Sequence, residues 1–284
     1  MGDGEYYHYR NKMEYALYYS HEDEKIHLAF HGRSSHRKIP VEQSSLERPE
    51  IWRRAREIVD ELNQKGEEAR KYQSLLLRCN QSGEVSGGLL ENGKPHPVFP
   101  VLEDELCDIK YSYSPNGFFQ INLPVYELVL KTMSKFVNGS SVLDLYSGVG
   151  TIGLSVASAK NLTLVECNKS AYTEMKNNVD YILKNSDREL RIHPVLAKSE
   201  KTLEYIAPEQ TVIVDPPRAG CMPEVIERFL EIAPERIIYL SCNPVTQARD
   251  VKKLLEKYEI SFFQPYNFFP RTPHIENLVI LNRR

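Results

Sequence analysis

The sequence predicts an α/β protein: a mostly parallel sheet covered on both faces and ending in an antiparallel strand pair, with a smaller N-terminal α+β domain. Three observations predict it. From about residue 109 onward, short and nearly continuous apolar segments alternate with amphipathic ones, separated by glycine or proline turns. That is the pattern of strands buried on both faces by crossover helices. The last two apolar segments lack a helix between them, so the sheet is expected to close with antiparallel strands. Residues 1–108 instead alternate apolar and polar side chains with a period of two. The expected domains are 1–108, a candidate RNA-recognition unit on the grounds given below, and 109–284.

In the first domain, residues 12–18 and 26–30 alternate around a charged break at 21–25, which predicts a hairpin. Residues 49–64 carry Ile51, Ala55, Ile58, Val59 and Leu62 at helical spacing, and Gly66 closes the helix. Strands follow at 73–79 and 85–90, around a Ser82-Gly83 turn. In the second domain, strands are expected at 141–146, 162–166, 191–195, 211–215, 236–241, 261–267 and 278–282. Helices are expected near 125–136, 152–159, 171–183, 223–232 and 246–257.

Apolar residues at 41% and charged residues at 26% are ordinary for a soluble globular chain, and the net charge of −3 leaves nucleic-acid binding to a local patch. No run reaches the length of a membrane span, and MGDGEYYHYRNK lacks the layout of a signal peptide, so a cytoplasmic protein without a membrane partner is expected. The five cysteines are odd in number and form no C-x-x-C, which argues against a disulfide framework and against zinc or iron–sulfur sites of standard spacing. Cys79, Cys107 and Cys167 read as small buried hydrophobes. Cys242, at the exit of the apolar strand 237–240, stays open between packing, metal ligand and nucleophile, with Cys221 as the rival nucleophile.

Ligands of open α/β sheets sit outside the carboxyl ends of the strands. After the first strand comes Asp144-Leu-Tyr-Ser-Gly148-Val-Gly150-Thr151, a tight turn that lets backbone approach a ligand. It is neither a full G-x-G-x-x-G nor a triphosphate loop. The second strand ends at Glu166, placed about 20 residues on to accept hydrogen bonds from a ribose diol. The fourth ends in Asp215-Pro216-Pro217-Arg218, a stiff loop with aimed carbonyls. Together these point to a methyltransferase presenting a planar base beside a methylsulfonium donor.

The segments "VLDLYSGVGTIGL", "VECNKSAYTEMKNNV", "VIVDPPRAG", "YLSCNPVTQARD" and "FPRTPHIENLVIL" resemble the S-adenosylmethionine-dependent RNA uracil-5-methyltransferases, which make 5-methyluridine in transfer and ribosomal RNA. "SPNGFFQIN" and "YRNKMEY" are similar to that family's opening segment of the catalytic domain and its RNA-facing N-terminal strand. The resemblance implies a Rossmann-like methyltransferase sheet, with Cys242 as nucleophile and Glu276 as base. It also implies a donor site of Gln120, Tyr146, Gly148, Glu166 and Asp215, with Thr151 where relatives often carry asparagine. Phe118 would be a stacking surface for the target base.

The chemistry asks for those groups independently. Carbon 5 of uracil attacks a sulfonium methyl only after a thiolate adds at carbon 6, and a carboxylate suits removal of the carbon 5 proton afterwards. RNA contacts would come from Tyr9, Arg10, Lys12 and Tyr15, from Arg33, Arg37 and Lys38, and from Arg271 at a flanking phosphate; His274 reads as a loop histidine. The sequence departs from the family in lacking the N-terminal β-barrel RNA-binding module, and "IPVEQSSL" has no cysteine, so no iron–sulfur cluster is expected. The expected substrate is a uridine of the transfer-RNA T-loop, with large-subunit ribosomal RNA second. The rival readings are an exocyclic-nitrogen base methyltransferase, which needs no cysteine, and a non-catalytic RNA-binding or RNA-folding factor.

Overall fold

Alternation in the N-terminal third builds a six-stranded antiparallel sheet backed by one helix. Strands β1 (Lys12–Ser20), β2 (Lys25–His31) and β3 (Lys38–Pro40) precede helix α1 (Pro49–Lys65), and β4 (Ser74–Cys79), β5 (Val85–Glu91) and β6 (Lys94–Pro95) follow it. The spatial order is β3-β2-β1-β4-β5-β6. Met13, Tyr15 and Leu17 of β1 and Leu75, Leu77 and Cys79 of β4 point to one face, where Ile51, Ala55, Ile58, Val59 and Leu62 of α1 bury against them. Pro49 starts that helix at a position needing no N–H, and Gly66 ends it at φ 67°. The structure, a computed structural model, describes every residue except 67–70, 96–97, 138, 140, 157–160 and 186–189.

Two strands not expected from the sequence, β7 (Leu102–Leu106) and β8 (Ile109–Tyr113), pair with each other. They also show why a single boundary at residue 108 does not describe the chain. One compact unit is residues 5–104 with 112–122; the other is 1–4, 105–111 and 123–284.

In the first unit, the turn at 114–119 is held from beneath. Fully buried Arg78 donates to the carbonyls of Gly117 (3.4 Å) and Phe119 (2.5 Å) and lies over the Tyr113 ring at 5.2 Å. Tyr113 stacks on Phe119 at 4.0 Å and donates its hydroxyl to Asp104. A buried cation so placed leaves several acceptors unsatisfied when removed. Arg78→Met is therefore expected to destabilise the protein by about 3 kcal/mol or more, read from the urea midpoint; an unchanged midpoint would contradict this role.

The second unit carries a seven-stranded sheet of order β11-β10-β9-β12-β13-β15-β14. Its strands are β9 (Ser141–Leu145), β10 (Asn161–Glu166), β11 (Arg191–Leu196), β12 (Thr211–Val214), β13 (Arg236–Ser241), β14 (Tyr258–Tyr266) and β15 (Glu276–Arg283). The first five are parallel; β15 runs antiparallel to both β13 and β14. Helices α2 (Leu123–Met133), α3 (Thr151–Val156), α4 (Lys169–Asn185), α5 (Pro223–Ile232) and α6 (Pro244–Leu254) cover it. The end of the helix expected at 152–159 lies outside the described residues. Two elements differ usefully from expectation. Helix α6 begins at Pro244 rather than 246, because Asn243 caps it by accepting from the Val245 N–H at 3.2 Å. Strand β15 begins at Glu276 rather than 278, because Glu276 pairs with Tyr266.

Candidate active site

The strand order reverses between β9 and β12, the place where open α/β sheets take their ligands, outside the carboxyl ends of the parallel strands. The turn after β9 is tied to the end of β10. Ser147 Oγ donates to the Asp144 carbonyl (2.6 Å) and accepts from the Val165 N–H (2.9 Å). Glu166 accepts from the Gly148 N–H at 2.9 Å and from the Asn168 N–H at 2.6 Å, so its carboxylate is fixed beside the glycine turn. Gly148 takes φ +57°, and nothing lies within 4 Å of where its Cβ would stand, which leaves the turn open on that side. Tyr146 also adopts the left-handed region, at φ 64°, and burial pushes its phenol up. Thr151 is buried at the start of α3, its carbonyl accepting from the Tyr111 hydroxyl at 3.3 Å.

Beneath this turn sits a residue whose weight the sequence reading missed. Asp144 is fully buried, with Oδ2 accepting from the Gly153 N–H at 2.9 Å and Oδ1 lacking a hydrogen-bond partner among the described residues. Burial, with the Asp215 and Glu166 charges adding to it, raises its carboxyl to about 8. A carboxyl whose folded pKa exceeds its unfolded value stabilises the fold fully below the unfolded pKa of ~3.9 and loses that contribution as pH rises through the folded value. The Asp144 contribution to the thermal midpoint is therefore expected to fall between about pH 4 and pH 8, and Asp144→Asn to reduce that fall by about 3 °C or more. Equal slopes for both proteins would contradict this account.

The second half of the site is built by α6. Asn243 Nδ2 (2.8 Å) and Thr246 Oγ1 (3.1 Å) both donate to the Arg218 carbonyl, and Arg249 donates to the Ala219 carbonyl at 3.0 Å. Asp250 accepts from the Cys221 N–H (3.0 Å) and the Tyr239 hydroxyl (2.9 Å). Gly220 is required where this clamp closes: its φ is +83°, and a Cβ there would stand 2.6 Å from Asp250 Oδ2. The Asp215-Pro-Pro-Arg218 loop is thereby locked against the segment that begins at Cys242.

Cys242 and Glu276 leave adjacent strands at the same sheet edge, for Ser241 pairs with Asn277. Cys242 is half-buried, and its thiol is raised by burial and by the Glu276 and Asp215 charges, with Arg218 opposing. Glu276 is 4% exposed. Burial and the neighbouring Asp215 carboxylate raise its pKa, with Arg218 again opposing, and burial raises Asp215. Tyr126 of α2, missed in the sequence, is buried; burial, with the Asp215, Asp144 and Glu276 charges adding to it, holds its phenol well above its usual range.

The other expected residues divide clearly. Cys221 is buried, and burial, with the Asp250 charge adding to it, pushes its thiol up to about 12, which suits packing and not attack. Cys79 is buried as expected, but Cys107 is only partly so and Cys167 is exposed. Both follow a strand and point out of the core, which apolar spacing does not register. In the other unit, Phe118 is 71% exposed, while Gln120 is buried, its carbonyl accepting from Asn11 Nδ2 at 3.1 Å. Lys12 is engaged within its own unit. It donates to the carbonyls of Asn116 (3.2 Å) and Gly117 (2.9 Å), and burial lowers its pKa to about 8. Lys38 is likewise engaged, with the Leu17 carbonyl at 2.8 Å, and Tyr9 and Tyr15 are core residues. Arg10 is half-buried; Arg33 and Arg37 are exposed. Arg271 and His274 are exposed between β14 and β15. Among the described residues no group of three or more His, Cys, Asp or Glu is placed to hold a metal ion, and no helix is long and apolar enough to cross a membrane.

The strand order and its reversal point are those of the Rossmann-like methyltransferases. A sequence profile described as tRNA (Uracil-5-)-methyltransferase matches residues 101–284, and the chain belongs to that family. It is 37% identical over 186 residues to an RNA methyltransferase of Mycoplasma mobile, across 63% of this chain and 49% of that protein. It is 38% identical over 209 residues to the tRNA (uracil(54)-C(5))-methyltransferase of Pyrococcus abyssi, across 72% of this chain and 48% of that protein. The chain thus spans about half the length of these relatives. The crystal structure of Pyrococcus abyssi tRNA (uracil-54, C5)-methyltransferase in complex with S-adenosyl-L-homocysteine aligns with a TM-score of 0.78 at 25% identity, covering 99% of this chain and 78% of that one.

Proposed function

We propose that the protein methylates carbon 5 of a uridine in structured RNA, with S-adenosylmethionine as donor and Cys242 as covalent nucleophile. A single observation carries this reading: Cys242 and Glu276 leave adjacent strands at one edge, with Asp215 facing both. A base-binding enzyme acting on an exocyclic nitrogen has no use for that thiol. The donor suits the residues present, because the open side of Gly148 and the fixed Glu166 carboxylate favour a polar, cationic nucleoside there. Glu166 would hold the ribose diol, and Tyr146, Thr151 and Asp215 would complete this side of the donor site.

When bound, S-adenosylmethionine supplies an electrophilic methyl group. The protein's task is to make carbon 5 nucleophilic and then to restore the base. Cys242 thiolate adds to carbon 6, forming the C–S bond and moving the electron pair onto the carbon 5–oxygen 4 enolate. After carbon 5 has gained its methyl group, Glu276 takes the carbon 5 proton. That pair becomes the carbon 5–carbon 6 double bond, and the C–S bond breaks to return the thiolate. A carboxyl with a raised pKa is a stronger base than an exposed one, which suits Glu276 to this step. Cys242 is raised as well, so its thiolate forms when the substrate arrives rather than standing ready.

A transfer-RNA uridine is the first target, following the uracil-54 enzymes among the relatives, and large-subunit ribosomal RNA the second. The test is to incubate the protein with labelled donor and transcripts of each RNA, then identify the modified nucleoside by mass spectrometry. 5-Methyluridine supports the reading. Methyl on an exocyclic nitrogen, or RNA binding without transfer, overturns it.

A further inference from the structure

The helix after Cys242 carries one buried polar side chain that the clamp on the proline loop does not use. Gln247 of α6 is 1% exposed. Its Nε2 donates to the Tyr239 carbonyl of β13 at 2.9 Å and to the Asn277 carbonyl of β15 at 3.0 Å, and its Oε1 accepts from Asn277 Nδ2 at 2.5 Å. One amide therefore joins the strand that ends before Cys242 to the strand that begins with Glu276, reaching Asn277 at the last pair of β15 and Tyr239 two residues before the last pair of β13. Beyond Ser241–Asn277 that ladder has no further pair; β14 holds Glu276 from the other side through Tyr266, and the Gln247 amide ties this end of β15 to β13. A leucine of similar volume would fill the space; three hydrogen bonds to two strands do more than fill it.

We propose that Gln247 is a positioning residue for the second half of the reaction, holding the Glu276 carboxylate against the carbon 5 proton of the base bound to Cys242. The inference rests on the reading given under Proposed function. In that step the carbon 5–hydrogen pair becomes the ring double bond, the proton goes to Glu276, and the C–S bond breaks to release Cys242 as thiolate. Proton removal is sensitive to displacements of about 1 Å, whereas addition of the thiolate depends on Cys242 alone and on the base beside it. Loosening β15 therefore slows release more than addition.

The test compares wild type, Gln247→Met and Asn277→Ala on two substrates: 5-fluorouridine RNA with donor, which reports adduct formation, and ordinary RNA, which reports turnover and the steady-state fraction of protein bonded to RNA. Gln247→Met is expected to form the fluorinated adduct within about threefold of wild type while turnover falls by roughly 10–100-fold and the bonded fraction with ordinary RNA rises. Asn277→Ala, which keeps the backbone carbonyl that Gln247 reaches, is expected to show the same split at smaller size. Adduct formation and turnover falling together, or neither falling, in both variants would overturn the positioning role. A wild-type protein that forms no adduct on either substrate overturns the covalent reading itself, and this inference with it.

Discussion

Cys242→Ala is expected to lower methyl transfer to RNA by about a thousandfold or more while leaving donor binding unchanged. The size follows from the chemistry. Without the carbon 6 adduct, carbon 5 of uracil is too weak a nucleophile, and neither Cys221 nor Cys167 is placed to replace Cys242. Cys221 is buried with its thiol pushed up to about 12, and Cys167 lies beside Glu166 at the other side of the reversal point. Cys221→Ala is accordingly expected to retain activity. Steady-state kinetics, with donor affinity by calorimetry, check both; a Cys242→Ala enzyme with turnover within tenfold of wild type would contradict the account.

Glu276→Gln is expected to act later in the cycle. Glutamine keeps the shape and accepts no proton, so addition and methyl transfer proceed while release slows by about 10²–10⁴-fold. The protein should then be isolated bonded to ordinary, methylated RNA. pH gives an independent sign. The Glu276 carboxyl is raised by burial and by Asp215, so its basic form gains population as pH rises, and so does the Cys242 thiolate. Both steps therefore accelerate toward alkaline pH. Arg218 opposes both shifts, and Arg218→Gln is expected to move the rate profile to higher pH. A rate that peaks below pH 6 would contradict this assignment.

What the sequence reveals follows from what its patterns encode. Period-two alternation in β1 and β4, helical spacing in α1 and continuous apolar runs in β9, β12 and β13 each report burial of a face, and burial is what the packing enforces. Polar residues beside glycine and proline turns at the carboxyl ends of parallel strands mark the ligand edge. Buried polar groups are harder to read, since their partners come from distant chain. Nothing local distinguishes Gln247 from a surface glutamine until Tyr239 and Asn277 are brought beside it, or shows that Lys12 reaches the 116–117 carbonyls. Asp144 did leave a signal: a carboxyl inside the run Val142-Leu-Asp-Leu-Tyr146, where burial alone predicts an apolar residue.

Covalent capture tests the central claim most directly. The protein is incubated with 5-fluorouridine-substituted transfer-RNA transcript and S-adenosylmethionine, denatured, and the crosslinked peptide is sequenced by mass spectrometry. The account predicts a methylated fluorouridine attached to Cys242, absent from Cys242→Ala. Attachment at another residue, or no adduct from protein that binds both donor and RNA, would contradict it.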